Sequence, residues 1–116
     1  MKTETMDIEV TGSAEIAVVA PRGDLDMAAA DQMRRTLTKL VDDGGRKLLV
    51  DLGQVGYVDS LGMGALVASL KHARTVGGDL RLCALQADVR AIFEMTRLHK
   101  AVTIYGTRSE ALGAWA

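Results

Sequence analysis

KLLVDLGQVGYVDSLGMGALVASLKHARTVGGDLRLCAL, residues 47–85, is the stretch that decides the fold. It opens on Lys47 to Leu52, a short apolar run bounded by glycines, as expected of a central strand covered on both faces. A helix should follow from Ser60 to about Arg74, closed by Gly77-Gly78. Leu80 to Leu85 then reads as a second buried strand. Strand, helix and strand in succession make the repeating unit of an α/β domain with a mostly parallel sheet.

The flanks extend this pattern. Upstream, Ile8 to Thr11 and Ile16 to Ala20 are two β-like segments around the turn-forming pair Gly12-Ser13, so the chain should open on a β-hairpin. Pro21 ends the second strand or sits at its edge. From Ala28 to Val41, the apolar residues Ala30, Met33, Leu37, Leu40 and Val41 form one stripe of an amphipathic helix, with Asp26 as its N-cap and Gly44-Gly45 as its stop. Downstream, Val89, Ile92, Phe93 and Thr96 mark a third helix, and Val102 to Tyr105 the last strand. Thr107, with Glu110 three residues on, is a capping-box signal for a terminal helix carrying Leu112 and Trp115. With 116 residues and no linker-like stretch, residues 1–116 read as a single domain.

The composition, 48% hydrophobic and 25% charged, is that of a globular protein and argues against disorder. Fourteen basic residues against 15 acidic ones leave a net charge of -1, so neither nucleic acid nor an anionic membrane surface is an expected partner. Cys83 is the only cysteine and lies in an apolar run, which suits a buried strand position in a reducing compartment. Met1 to Val10 carries Glu4, Asp7 and Glu9 and has no signal-peptide core, and the longest weakly polar run, Leu61 to Leu70, is too short to span a bilayer. The expectation is a cytoplasmic protein without direct membrane insertion.

Enzymatic chemistry finds few handles. His72 and His99 are the only histidines, and His72 would lie three turns into the helix that Ser60 begins, roughly 18 Å along its axis, so neither is placed to activate that serine. Two histidines and one cysteine fall short of a structural zinc site. Gly62-Met63-Gly64 is only half of a dinucleotide fingerprint, with Val67 where the third glycine belongs, and no Gly-Lys-Ser/Thr element is present. No metal or cofactor is expected.

Val58-Asp59-Ser60-Leu61-Gly62-Met63-Gly64-Ala65-Leu66 stands apart, because it puts a serine between a loop acid and a glycine-bearing helix start. Ser and Asp are ordinary N-caps, and capping alone would account for them. Gly64 is harder to account for: inside a helix, glycine costs roughly 1 kcal/mol relative to alanine. Either tight packing or an approaching partner requires the missing side chain. Met63 reads equally as an exposed contact or as a core residue, and Asp26 equally as a cap or as part of a binding face.

The segment resembles the Asp-Ser-Ser/Thr-Gly-apolar-Gly signature of bacterial anti-sigma factor antagonists, the single-domain members of the STAS family. Gly23-Asp24-Leu25-Asp26 looks like the family's Gly-Glu-Leu-Asp, and Phe93-Glu94-Met95-Thr96-Arg97-Leu98 is similar to its Phe-apolar-Leu segment before the last strand. The likeness covers essentially the whole chain, with Leu61 departing from the usual second Ser or Thr. It implies a STAS-type fold and a non-enzymatic protein that binds an anti-sigma factor serine kinase and thereby releases a sigma factor. By motif position, Ser60 is the phosphorylated residue, and Asp24, Asp26, Asp59, Ser60, Leu61, Gly62, Met63 and Gly64 form the binding face. ATP and magnesium belong to the kinase, and a serine phosphatase resets the switch. Alternatives are a STAS subunit of a membrane lipid transporter or stress-sensing assembly and, ranked lower, a receiver-type domain using Asp51; the latter lacks the expected lysine after the last strand, at Ile104-Tyr105-Gly106.

Overall fold

The computed structural model describes residues 6–12 and 15–115; Ser13 of the expected hairpin turn and the first five residues lie outside them. Five strands form one sheet in the order β1 (Asp7–Gly12), β2 (Ile16–Arg22), β3 (Lys47–Asp51), β4 (Asp79–Cys83), β5 (Ile104–Tyr105). β1 and β2 pair antiparallel as the hairpin, and the other three pairings are parallel. Helices α1 (Met27–Asp42), α2 (Ser60–Thr75) and α3 (Ala87–Met95) occupy the crossovers, a short 3-10 turn (Leu98–Lys100) follows α3, and α4 (Arg108–Trp115) ends the described chain.

Strand periodicity divides the interior into two layers. Leu48, Val50, Leu80 and Leu82 point to the side where Met33 and Leu37 of α1, Leu66 and Leu70 of α2 and Val89 and Phe93 of α3 complete the main core. The alternate residues Leu49 and Cys83, with Ile16 and Val18, meet Ala111 and Trp115 of α4 on the opposite face. Successive parallel strands laid down in one direction put all three crossover helices on one side of the sheet, which leaves the other side to α4. Arg81 stacks over the Trp115 ring at 4.2 Å and Lys47 donates to the Trp115 carbonyl at 3.0 Å, holding α4 against the sheet.

Several expected boundaries shift for identifiable reasons. Pro21 neither ends β2 nor breaks it: it pairs with Ile8 in the hairpin but lies beyond Val19, the last residue in register with β3. The stripe of α1 keeps Met33, Leu37 and Val41 buried as expected, but its first member is Ala29 in place of Ala30, which is half-buried like Leu40. β4 stops at Cys83 because Ala84 turns into the left-handed region at φ 63°. β5 is only two residues long, since the chain before it is taken up by the 3-10 turn, and Val102 is buried without being in the strand. Thr96 is an exposed C-cap of α3 rather than part of its buried stripe. The terminal helix starts on the expected signal: Glu110 N donates to Thr107 Oγ1 at 3.0 Å, and Glu110 Oε1 accepts from Gly106 N at 2.8 Å.

Candidate functional site

The first turns of α1 and α2 lie side by side at the edge of the sheet where β2 and β3 end. A short parallel connection outside the main strands holds them together: Gly23 N donates to Gln54 O at 3.0 Å, Leu25 N to Tyr57 O at 2.9 Å and Asp59 N to Leu25 O at 3.1 Å, around a Leu25–Val58 bridge. Leu25 and Val58 are both buried, and each is followed by an aspartate that caps a helix. Asp26 accepts from Ala28 N at 3.1 Å and Ala29 N at 3.2 Å, and Asp59 accepts from Gly62 N at 2.8 Å. Carboxylates at those positions satisfy otherwise unpaired first-turn amides and complement the positive ends of the two helix dipoles.

With Asp59 as the cap, Ser60 is left free of that role. It is the first residue of α2 and is exposed. Leu61 beside it is 52% exposed, Met27 at the start of α1 is 71% exposed, and Tyr57 in the loop before Asp59 is 50% exposed. An open groove between the two helices is lined by Met27, Ala30, Asp31 and Arg34 on one side and by Leu61, Gly64 and Ala65 on the other. Asp31 is held below the usual carboxylate range by its hydrogen bonds to Arg35 and Arg34, and so stays ionised at the groove wall.

The two glycines of the motif separate cleanly. A Cβ on Gly62 would collide with the Leu25 carbonyl oxygen and stand 2.9 Å from its carbonyl carbon, so α2 can dock on the Leu25 segment only with glycine there. A Cβ on Gly64 would meet nothing within 4 Å. Tight packing therefore explains Gly62 and not Gly64, whose effect is to keep the exposed side of the helix flat. Met63 is corrected by the same geometry: at 7% exposure it belongs to the main core, and with the buried Gly62 it contributes no side chain to the outer face.

Of the eight residues expected to form a binding face, Asp24, Ser60, Leu61 and Gly64 are exposed and Asp26 and Asp59 half-buried; Leu61 and Gly64 line the groove between the helices, whereas Asp24 and Asp26 line a separate one with Arg22 and Ala28. Met27 and Tyr57 were not anticipated. The signal for Met27 was the phase of α1: a stripe through 29, 33, 37 and 41 turns position 27 outward, whereas a stripe through 30 and 33 turns it in.

Neither histidine lies near Ser60. His72 Nε2 is 3.0 Å from Asp42 at the far ends of α1 and α2, and His99 packs on the 3-10 turn with Nδ1 3.4 Å from the Phe93 carbonyl. No group of three metal-ligating side chains occurs among the described residues. Asp51 is already engaged, accepting from Gly53 N at 2.9 Å and Arg108 Nε at 2.8 Å with a side chain only 15% exposed, which disfavours it as a phosphoacceptor. Burial, with a smaller contribution from Asp51, pushes the Cys83 thiol up to about 12, so that it stays protonated and unreactive near neutrality. No described helix is long and apolar enough to cross a membrane.

Residues 7–111 match the STAS domain family. BtrV of Bordetella bronchiseptica, assigned as an anti-sigma factor antagonist, is 32% identical over 94 residues, covering 81% of each protein. The anti-sigma-B factor antagonist of Staphylococcus aureus is 30% identical over 93 residues, 80% of this chain and 86% of that protein. Among solved structures, an anti-sigma factor antagonist from Mycobacterium paratuberculosis superposes with a TM-score of 0.86 at 25% identity, covering 96% of this chain and 94% of that one.

Proposed function

The chain belongs to the STAS domain family, and on that premise we propose that it is an anti-sigma factor antagonist whose docking face is the paired start of α1 and α2, switched by phosphorylation of Ser60. The observation that carries this reading is the exposure of Ser60 at the first position of α2, uncommitted to capping and next in the chain to Leu61, which with Met27 and Gly64 lines the groove between the two helices. A flat, partly apolar patch with a polar rim is a surface on which a partner can bury side chains. The relatives named as anti-sigma factor antagonists support the identity of that partner.

The switch follows from local electrostatics. The partner is an anti-sigma factor with serine kinase activity, and it supplies ATP, magnesium and catalysis; this chain presents the hydroxyl. Phosphorylation adds about -1.5 to -2 charges at Ser60. In the free protein the new phosphate sits at the positive end of α2 and is hydrated, so the fold tolerates it. In the complex it would lose water while facing the nearby carboxylates of Asp59 and Asp26, so binding weakens. Leu61 stands where relatives of this kind commonly carry a second hydroxyl residue, so modification concentrates on Ser60. A serine phosphatase restores the binding form.

Incubation with the cognate anti-sigma kinase and ATP should add one phosphate, mapped to Ser60 by intact-mass and peptide analysis. Ser60→Ala should stay unmodified and still bind. Phosphate on Asp51, or recovery of a transporter ATPase in place of a kinase as the bound partner, would sink the reading.

A further inference from the structure

At the opposite end of α2 from Ser60 lies an open groove of about 440 Å³, formed where the last turn of α2, the middle of α3 and the segment 99–104 meet. Its lining carries Arg74, Arg90, His99 and Lys100 and no carboxylate, while Val102 and Ile104 give it an apolar wall. We propose that this groove binds a small phosphate-bearing molecule, a phosphomonoester with a short carbon body, at a site separate from the Ser60 face.

Basic residues near helix C-termini are often there only to complement the dipole, and Arg74 in the last turn of α2 fits that account. The other three do not. Arg90 is the fourth residue of α3, and His99 and Lys100 come after that helix has ended. They are brought in by Arg97, a non-glycine residue held in the left-handed region at φ 62°, which turns the chain out of α3 and into the 3-10 turn. Backbone held in that region needs support from its surroundings and is concentrated at functional places.

The donors differ in how far the chain itself uses them. Arg74 is fixed in position by Nε on Asp79 at 3.0 Å and a terminal nitrogen on the Ala101 carbonyl at 3.2 Å. Arg90 stands 3.9 Å from Glu94, beyond hydrogen-bond distance, so its fork remains available. The Lys100 side chain has no hydrogen bond or ion pair among the described residues. Arg74 is paired with Asp79 and Arg90 stands 3.9 Å from Glu94, but no carboxylate lines the groove itself, so an anion with several acceptor oxygens seated there can draw on Lys100 and on the donors that Arg74 and Arg90 have left.

The test is a titration of the full chain, followed by amide NMR, with inorganic phosphate and with glycerol 3-phosphate against sodium chloride of equal ionic strength. Saturable shifts confined to residues 99–104 and the end of α2 are expected, tighter for glycerol 3-phosphate. The Arg90→Ala/Lys100→Ala double variant, in which both side chains are exposed, should fold with an unchanged thermal midpoint and bind at least ~10-fold more weakly. Ser60→Ala should titrate like the parent. Shifts that never saturate, that sodium chloride reproduces, or that persist in the double variant would overturn the proposal. So would sedimentation with phosphatidic acid vesicles in the absence of any response to the soluble phosphates.

Discussion

The inner and outer sides of the first turn of α2 are built from neighbouring residues with opposite tolerances. On the inner side, Gly62 lies against the Leu25 carbonyl and Met63 enters the main core, so both positions are fixed by packing. On the outer side, Ser60, Leu61 and Gly64 face solvent, and nothing within the domain accounts for a helical glycine with open space around it. Residues that the fold demands and residues that it merely permits thus alternate within five positions. A surface built this way can change charge without the scaffold responding.

The contrast can be broken at Gly62 first. Gly62→Ala forces a methyl group into the Leu25 backbone and should lower stability by about 3 kcal/mol or more, read as a fall in the urea midpoint at unchanged m. A near-neutral result would mean that α2 can lift away from Leu25 and that the two caps are not rigidly paired.

Asp59→Ala tests the hinge between the two sides. Loss of the cap on Gly62 N should cost about 1 kcal/mol, and the start of α2 should exchange its amides faster while β3 and β4 keep their protection. Asp26→Ala should cost a similar amount through the α1 cap, without speeding exchange in α2.

Gly64→Ala has the smallest effect on the fold and the opposite sign. Removing glycine from an uncrowded helical position should raise stability by about 0.5–1 kcal/mol. The same methyl group enters the docking face and should weaken partner binding, so a variant that is more stable and binds less would place Gly64 on the functional side. A more stable variant with unchanged affinity would remove Gly64 from the face.

Much of this architecture was legible from residues alone, because the decisive elements obey strong local rules. The glycine-bounded run at Lys47 and the apolar run at Leu80 are central strands, Asp26 is a cap, and Thr107 with Glu110 starts α4. What periodicity could not settle was phase. Shifting the α1 stripe by one residue exchanges Ala29 for Ala30 and decides whether Met27 is core or surface. Likewise, the sequence around Ser60 offers two adjacent capping residues, and only the hydrogen bond from Gly62 N shows that Asp59 caps and Ser60 is spare. The length of β5 was unreadable because the chain before it is consumed by a left-handed turn at Arg97, a conformation that arginine does not advertise.

The most direct measurement is the affinity of the cognate anti-sigma factor for the unmodified protein and for the Ser60-phosphorylated protein, by calorimetric titration with the thermal midpoint of each form recorded alongside. Phosphorylation should weaken binding at least ~10-fold and leave the midpoint within a few degrees. Equal affinities would contradict a docking face centred on Ser60, and a collapse of the midpoint would show that the charge acts by unfolding the start of α2 and not by repelling the partner.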